Sequence, residues 1–262
     1  MPEKETDWKT IVRNEAFPLS AKYDPEWVVA NQMGPNALWL AEWLCRDMDL
    51  EPGMRVLDMG CGRAMTSIFL AKEFGVQVWA NDLWIEATDN WQRIVEAGVE
   101  DRVFPIHAEA RSLPYAQGFF DAVVSVDSYQ YYGTDDLYLD YFLKFVKPGG
   151  QVGIVVPALM REFDGPVPEH LTRKQASGGV FWAQGCWCFH TSEWWRRLWE
   201  RTGLVDVEVV ETMPNGWRLW LEWDRAINAA GANIFPSDAE TLEADGGRYL
   251  GLVRMVARRR PV

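Results

Sequence analysis

The sequence predicts an α/β fold: a doubly wound, mostly parallel sheet with helices on both faces. Three observations carry this expectation. Apolar strand-like runs alternate with segments of helical length and spacing from Met54 to Ala158, the mark of βαβ units whose sheet is covered on both sides. Glycines close the helical segments at Gly75 and Gly98, where a left-handed residue ends a helix at little cost. A length of 262 residues with 48% apolar and 24% charged residues suits a globular chain with a substantial core.

The elements follow in order. Pro25 to Met48 carries apolar residues at helical spacing interrupted at Gly34-Pro35, which reads as two helices or one broken helix. "MRVLDMG" is a strand and "AMTSIFLAKEFG" a helix; "VQVWAND" and "WIEATDNWQRIVEAG" repeat the pair. "RVFPIHAEA" and "FFDAVVSVDS" are the third and fourth strands, "TDDLYLDYFLKFVKPGG" a helix that stops at Pro148-Gly149-Gly150, and "QVGIVVPA" the fifth strand. The regular alternation then ends. Residues 159–190 mix prolines, glycines and aromatics without clean periodicity and read as an inserted lid or loop. "TSEWWRRLWERTG" is a helix with Thr191 as its N-cap, "LVDVEVVET" a strand, 214–247 a second insertion and "RYLGLVRMVARR" a closing strand. The expected organisation is one domain: a helical cap over 1–50, the core over 51–158, the lid over 159–190 and a C-terminal part over 191–262.

A net charge of −12 repels phosphate backbones and anionic membrane surfaces, so neither nucleic acid nor a membrane is an expected partner. The start "MPEKETDWKT" is polar and no apolar run reaches bilayer length. Four cysteines at odd spacing do not form a disulfide framework. The expectation is a reduced, cytoplasmic protein; homo-oligomer or monomer stays open.

The turn "VLDMGCGRA" between the first strand and helix holds Asp58, Gly60 and Gly62. Paired glycines mark a sharp turn or a close approach to bare backbone. A dinucleotide-binding turn wants G-x-G-x-x-G, but the third glycine position is Met65, and Asp58 would face the phosphates. A ligand with a cationic or zwitterionic end and no phosphate suits both features, because Asp58 can hold an ammonium, directly or through water, while the glycines admit the remainder. S-adenosylmethionine is such a ligand.

At this point the chain resembles the class I S-adenosylmethionine-dependent methyltransferases, and among them the small-molecule enzymes of the ubiquinone- and menaquinone-biosynthesis-like group. "VLDMGCGRA" is similar to their first motif, with Ala64 where many members have glycine. "VQVWANDLW", "HAEARSLPY", "FDAVVSVDSYQYYG" and "FVKPGGQVGIV" follow in the family's order. The resemblance implies a seven-stranded sheet with an antiparallel last strand, N-terminal helices and a lid insertion. It implies that Asp82 takes both ribose hydroxyls, which a carboxylate's two acceptor oxygens suit, that Leu83 packs on adenine, and that Glu109 and the Ala110 N–H bind the adenine edge. Asp58, Gly60, Gly62, Asp127 in the fourth motif and Tyr23 complete the implied cofactor set. The implied function is transfer of a methyl group from S-adenosylmethionine to a small-molecule acceptor, an amine or an aromatic compound. Two alternatives share these motifs: a non-catalytic S-adenosylmethionine-binding protein and a cyclopropane-synthase-like lipid-modifying enzyme.

Each candidate also has a plainer reading. Gly60 and Gly62 can serve a turn alone, Asp58 can bind loop amides, and Asp82 can cap a helix. The catalytic candidates are Tyr131 and Tyr129, just after the fourth strand where acceptor meets methyl group, and His190 as base. Tyrosine, with a pKa near 10, is a poor base at neutral pH, so the tyrosines are expected to shape the pocket and donate hydrogen bonds. Cys61 reads as small, buried and inert. Cys186, Cys188 and His190 in "CWCFH" lack the spacing of a metal site, and no metal is expected. Eight of fifteen tryptophans fall between Trp182 and Trp223; Trp195 and Trp199 sit at core spacing, and aromatic walls also favour flat, apolar or cationic substrates.

Overall fold

A computed structural model describes residues 7–261. The seven strands are β1 (Arg55–Met59), β2 (Gln77–Asp82), β3 (Val103–His107), β4 (Phe120–Val126), β5 (Val146–Leu159), β6 (Val205–Thr212) and β7 (Leu250–Arg259). They form one sheet in the order β3-β2-β1-β4-β5-β7-β6. The pairs from β3 across to β5 are parallel, whereas β7 runs antiparallel to both neighbours. The chain starts at the sheet centre, builds outward to β3, and then returns to β4 on the other side of β1. That reversal leaves a crevice beyond the carboxyl ends of β1 and β4, where open α/β sheets bind their ligands.

The helices are α1 (Trp8–Val12), α2 (Pro25–Ala30), α3 (Ala37–Cys45), α4 (Met65–Phe74), α5 (Ala87–Glu96), α6 (Tyr138–Leu143), α7 (Glu169–Thr172), α8 (Ser192–Glu200), α9 (Gly216–Ala229) and α10 (Ala239–Asp245). Local chemistry sets several starts. Asp24 accepts from the Glu26 amide ahead of Pro25 in the first turn of α2, and Asn36 accepts from the Leu38 and Trp39 amides at α3. Thr191 caps α8 through the Trp194 amide, as the sequence predicts. Such caps contribute about 1 kcal/mol each. Among the described residues no helix is long and apolar enough to cross a membrane.

Alternating strand residues divide the core. Val56, Ala122, Val124 and Val126 pack with α2, α3, α4 and the tryptophan face of α9 on one side. Leu57, Met59, Val123, Ile154 and Val156 pack with α6 and α8 on the other. Trp195, Trp199 and Tyr129 are fully buried there, each contributing about 3 kcal/mol or more if truncation to alanine is the measure. The two insertions pack together over the end of β5, where Leu171, Phe181 and Phe189 meet Trp220, Leu221 and Leu242.

The structure departs from the sequence reading at the helix before β5 and at the start of that strand. The helix expected after Thr134 is only Tyr138–Leu143, and β5 begins at Val146 and runs through Pro148-Gly149-Gly150. Val146 pairs with Phe120, and the register then shifts before Gln151 meets Ala122, so the glycines form an irregular strand entrance. The lid is chiefly loop: beyond α7 it holds a short 3-10 turn at Gln184–Cys186 and a bridge between Lys174 and Val180.

Candidate functional site

The turn after β1 is latched to its neighbour. Gly60 and Cys61 N–H groups donate to the Asn81 carbonyl at 2.9 and 3.0 Å, and Gly60 is left-handed at φ 78°. A Cβ at Gly60 would stand 1.9 Å from Ser128 Oγ, so the close approach that demands glycine here is that of the loop following β4. Ala64 adopts φ 59° as the residue before α4, a left-handed conformation that costs about 1 kcal/mol for a residue with a Cβ.

Asp58 lies beneath this turn. It is fully buried, accepts from the hydroxyls of Thr66 and of Ser67, the latter at 2.6 Å, and leaves Oδ1 without a partner. It does not line the adjoining cleft; Thr66 is the member of the trio that does. Asp58 thus supports the turn, and of the two expected ways to hold a ligand ammonium, directly or through water, its burial disfavours the direct one. Burial raises its pKa to about 6, opposed by the two hydroxyls.

The cleft has a volume of about 410 Å³ and lies at the switch between β1 and β4. Gly60, Gly62, Asp82, Leu83, Glu109 and Ala110 line one end, and Asp127 and Tyr131 the other. Asp82 ends β2 and is held by three amides: Gly62 N–H at 2.8 Å to one oxygen, Trp84 and Ile85 N–H at 2.7 and 3.0 Å to the other. Its capping role and its place on the cleft thus coexist. Glu109 accepts from the Arg111 amide at 2.8 Å, and the Ala110 N–H has no acceptor among the described residues. Leu83 is half exposed over the cleft, and Trp84 stands 71% exposed at its mouth. Met33, Arg63, Trp84 and Arg111 are lining residues that the motifs did not mark; Arg63 donates to the Ala30 carbonyl and Arg111 pairs with Glu109.

At the other end, Asp127 follows β4 with φ 51°. Gln130 Nε2 donates to its Oδ1 at 3.0 Å, and Tyr131 is half exposed beside it. Tyr132 is buried, its hydroxyl within 3.3 Å of Ser125 Oγ, Ser128 Oγ and the Met59 carbonyl. Besides Asp58, three expected site residues lie off the cleft. Tyr129 is fully buried among Tyr132, Tyr138, Phe142, Trp195 and Trp199, because this first residue of the 3-10 turn Tyr129–Tyr131 faces α8. His190 stacks on Trp194 at 3.6 Å, and burial lowers its pKa. Tyr23 stacks on Trp27 and donates to Glu73 at the far end of α4; Met33, Gly34 and Pro35, further along, close over the cleft instead.

The cysteines are engaged locally. Cys186 and Cys188 thiols donate to the Phe181 and Gly185 carbonyls, and burial pushes their pKa values to about 12 and 11. No group of three or more His, Cys, Asp or Glu side chains is arranged to hold a metal among the described residues.

Residues 56–150 match the family described as "Methyltransferase domain". Methyltransferase GfsG of Streptomyces halstedii is 31% identical over 116 residues, 44% of this chain and 42% of that protein. The 2-methyl-6-phytyl-1,4-hydroquinone methyltransferase of a Synechocystis species is 28% identical over 200 residues, 73% of this chain and 60% of that protein. The chain therefore spans less than two thirds of either relative's length. A crystallised Haemonchus contortus phosphoethanolamine N-methyltransferase 2, complexed with phosphomonomethylethanolamine and S-adenosylhomocysteine, aligns at TM-score 0.71 with 20% identity, covering 97% of this chain and 60% of that one. That likeness is one of fold.

Proposed function

We propose, from the match of residues 56–150 to a methyltransferase domain, that the chain is a class I S-adenosylmethionine-dependent methyltransferase that transfers a methyl group from S-adenosylmethionine to a small-molecule acceptor. The observation that carries the reading is the convergence on one cleft of Asp82, the Glu109–Ala110 pair and the Gly60–Gly62 turn. A nucleoside needs two adjacent acceptors for its diol, which Asp82 offers while its amide bonds keep it in place. Its base needs an acceptor and a donor, which Glu109 and the free Ala110 N–H supply, and an apolar wall, which Leu83 supplies. Bare backbone at Gly60 and Gly62 admits the amino-acid end. A pyrophosphate has no such partners: no lysine lines the cleft, and both lining arginines are engaged.

When bound, the cofactor would supply an electrophilic methyl group to the acceptor's lone pair. The chain's task is to align the acceptor and exclude water. Gly34, Pro35, Tyr131 and Phe235 wall that end of the cleft. The four unpaired cysteines suit a reducing compartment, and we place the activity in the cytoplasm.

Calorimetric titration with S-adenosylhomocysteine, with NADH as control, tests this reading. Micromolar binding of the former alone is expected; a signal with NADH, or with neither, overturns it.

A further inference from the structure

Asp127 is built to be available. A left-handed aspartate backbone costs of order 1 kcal/mol, and here it sets the carboxyl group on the cleft beside Tyr131. One oxygen has a single protein donor, the Gln130 amide. The other faces Gly34, where a Cβ would stand 2.3 Å from Oδ2, so glycine at 34 lets the carboxylate lie against the opposite wall. Among the described residues no cation supports its charge; burial is what pushes its pKa up, to about 7.

The surroundings continue the same chemistry. Gly34, Pro35 and Phe235 are a wall shared with a second, smaller cavity of about 70 Å³. Two indoles, Trp220 and Trp223, and two carboxylates, Asp224 and Asp238, line it. Burial and the neighbouring Asp224 raise Asp238 to about 7. The lining of this second cavity is thus aromatic and acidic, and indoles attract cations.

We propose that the methyl acceptor is an amine that enters as an ammonium ion and gives its proton to Asp127 Oδ2, making Asp127 the catalytic base of the cleft; this rests on the methyl-transfer reading above. The ammonium N–H bond breaks, an O–H bond forms on Asp127, and nitrogen keeps the electron pair that attacks the methyl carbon. The proton then leaves Asp127 for solvent through the cleft mouth. The titratable groups electrostatically coupled to Asp127 are the Tyr131 phenol and the Cys188 thiol. Burial raises both, so both are neutral near pH 7.

Carbon-13 NMR of the Asp127 carboxyl, assigned by its loss in Asp127→Asn, tests the proposal. Asparagine tolerates the left-handed backbone, so that variant keeps the loop. The titration midpoint is expected near neutrality. Methylammonium chloride should lower it by roughly half a pH unit or more, because a nearby cation favours the carboxylate; methanol and matched sodium chloride should not. A midpoint near the ordinary aspartate value of about 4, or no difference between methylammonium and sodium, overturns the proposal. So does a tenfold loss of S-adenosylhomocysteine affinity in Asp127→Asn, which would put Asp127 on the cofactor. If the wild type binds no S-adenosylhomocysteine, the methyl-transfer reading falls by itself, and the methylammonium titration of the protein alone still decides whether Asp127 receives a cation.

Discussion

The two ends of the cleft are made in different ways. The nucleoside end is assembled from strand ends and the turns that leave them: Asp82 is fastened by amides two and three residues onward and by the turn at Gly62, and Glu109 by the amide of Arg111. The acceptor end has no such local frame. Gly34 follows α2, Asp127 follows β4, and Phe235 lies between α9 and α10; only folding brings them together. At the first end the atoms that would bind ligand also hold the backbone, so affinity and stability are joined. At the second, side chains face the cleft with few protein partners, and function is separable from stability.

Substitutions can break or sharpen this contrast. The largest effect is expected for Gly60→Ala, whose Cβ meets Ser128 and whose φ is positive: a stability loss of about 3 kcal/mol, read by urea unfolding, together with loss of measurable S-adenosylhomocysteine binding. If affinity and stability separate here, the joined picture fails. Asp82→Ala should weaken that binding about 100-fold, or about 2.7 kcal/mol. It should also cost about 1–3 kcal/mol of stability as three amides lose their acceptor; Asp82→Asn, which keeps an acceptor oxygen, should recover much of the stability.

Asp58 gives a pH test of the frame under the turn. Its folded pKa, about 6, exceeds the ordinary 3.8, so its contribution to stability is full below about pH 3.8 and is lost as pH rises through 6. Unfolding free energies at pH 4.5 and 7 should differ by on the order of 2 kcal/mol from this group, and Asp58→Asn should flatten that part of the profile. The smallest effect is expected at the acceptor end. Tyr131→Phe removes a half-exposed hydroxyl whose hydrogen-bonding neighbour among the described residues is Gln130, so turnover should fall up to about tenfold while S-adenosylhomocysteine affinity and melting temperature hold. A matching fall in affinity would assign Tyr131 to the nucleoside end.

The same contrast governs what was legible. The helix of Met65–Phe74 with its Gly75 stop, the Thr191 cap and the strands up to β4 follow from spacing and local hydrogen bonding. Asp82, Leu83, Glu109 and Ala110 were implied by the family resemblance of the segments that hold them, and all four line the cleft. Tyr129 and Tyr131 were indistinguishable in "SYQYYG", since a 3-10 turn sends one into the α8 face and the other onto the cleft. His190 and Tyr23 had suitable chemistry, but stacking on Trp194 and packing against α4 hold them elsewhere. Phe235 and Gly34 carried no local signal, because their roles exist only against Asp127 and the second cavity.

By itself, the sequence determined the alternation of elements, the glycine turn after β1 and the carboxylates that end the nucleoside-side strands, because each depends on residues within a turn or two of the chain. Tertiary structure decided which tyrosine faces the cleft, why Gly60 and Gly34 must lack a side chain, and that Asp58 supports while Asp127 is presented. Those outcomes depend on burial and on approaches of a few ångströms between segments distant in sequence, and local pattern carries no information about such distances.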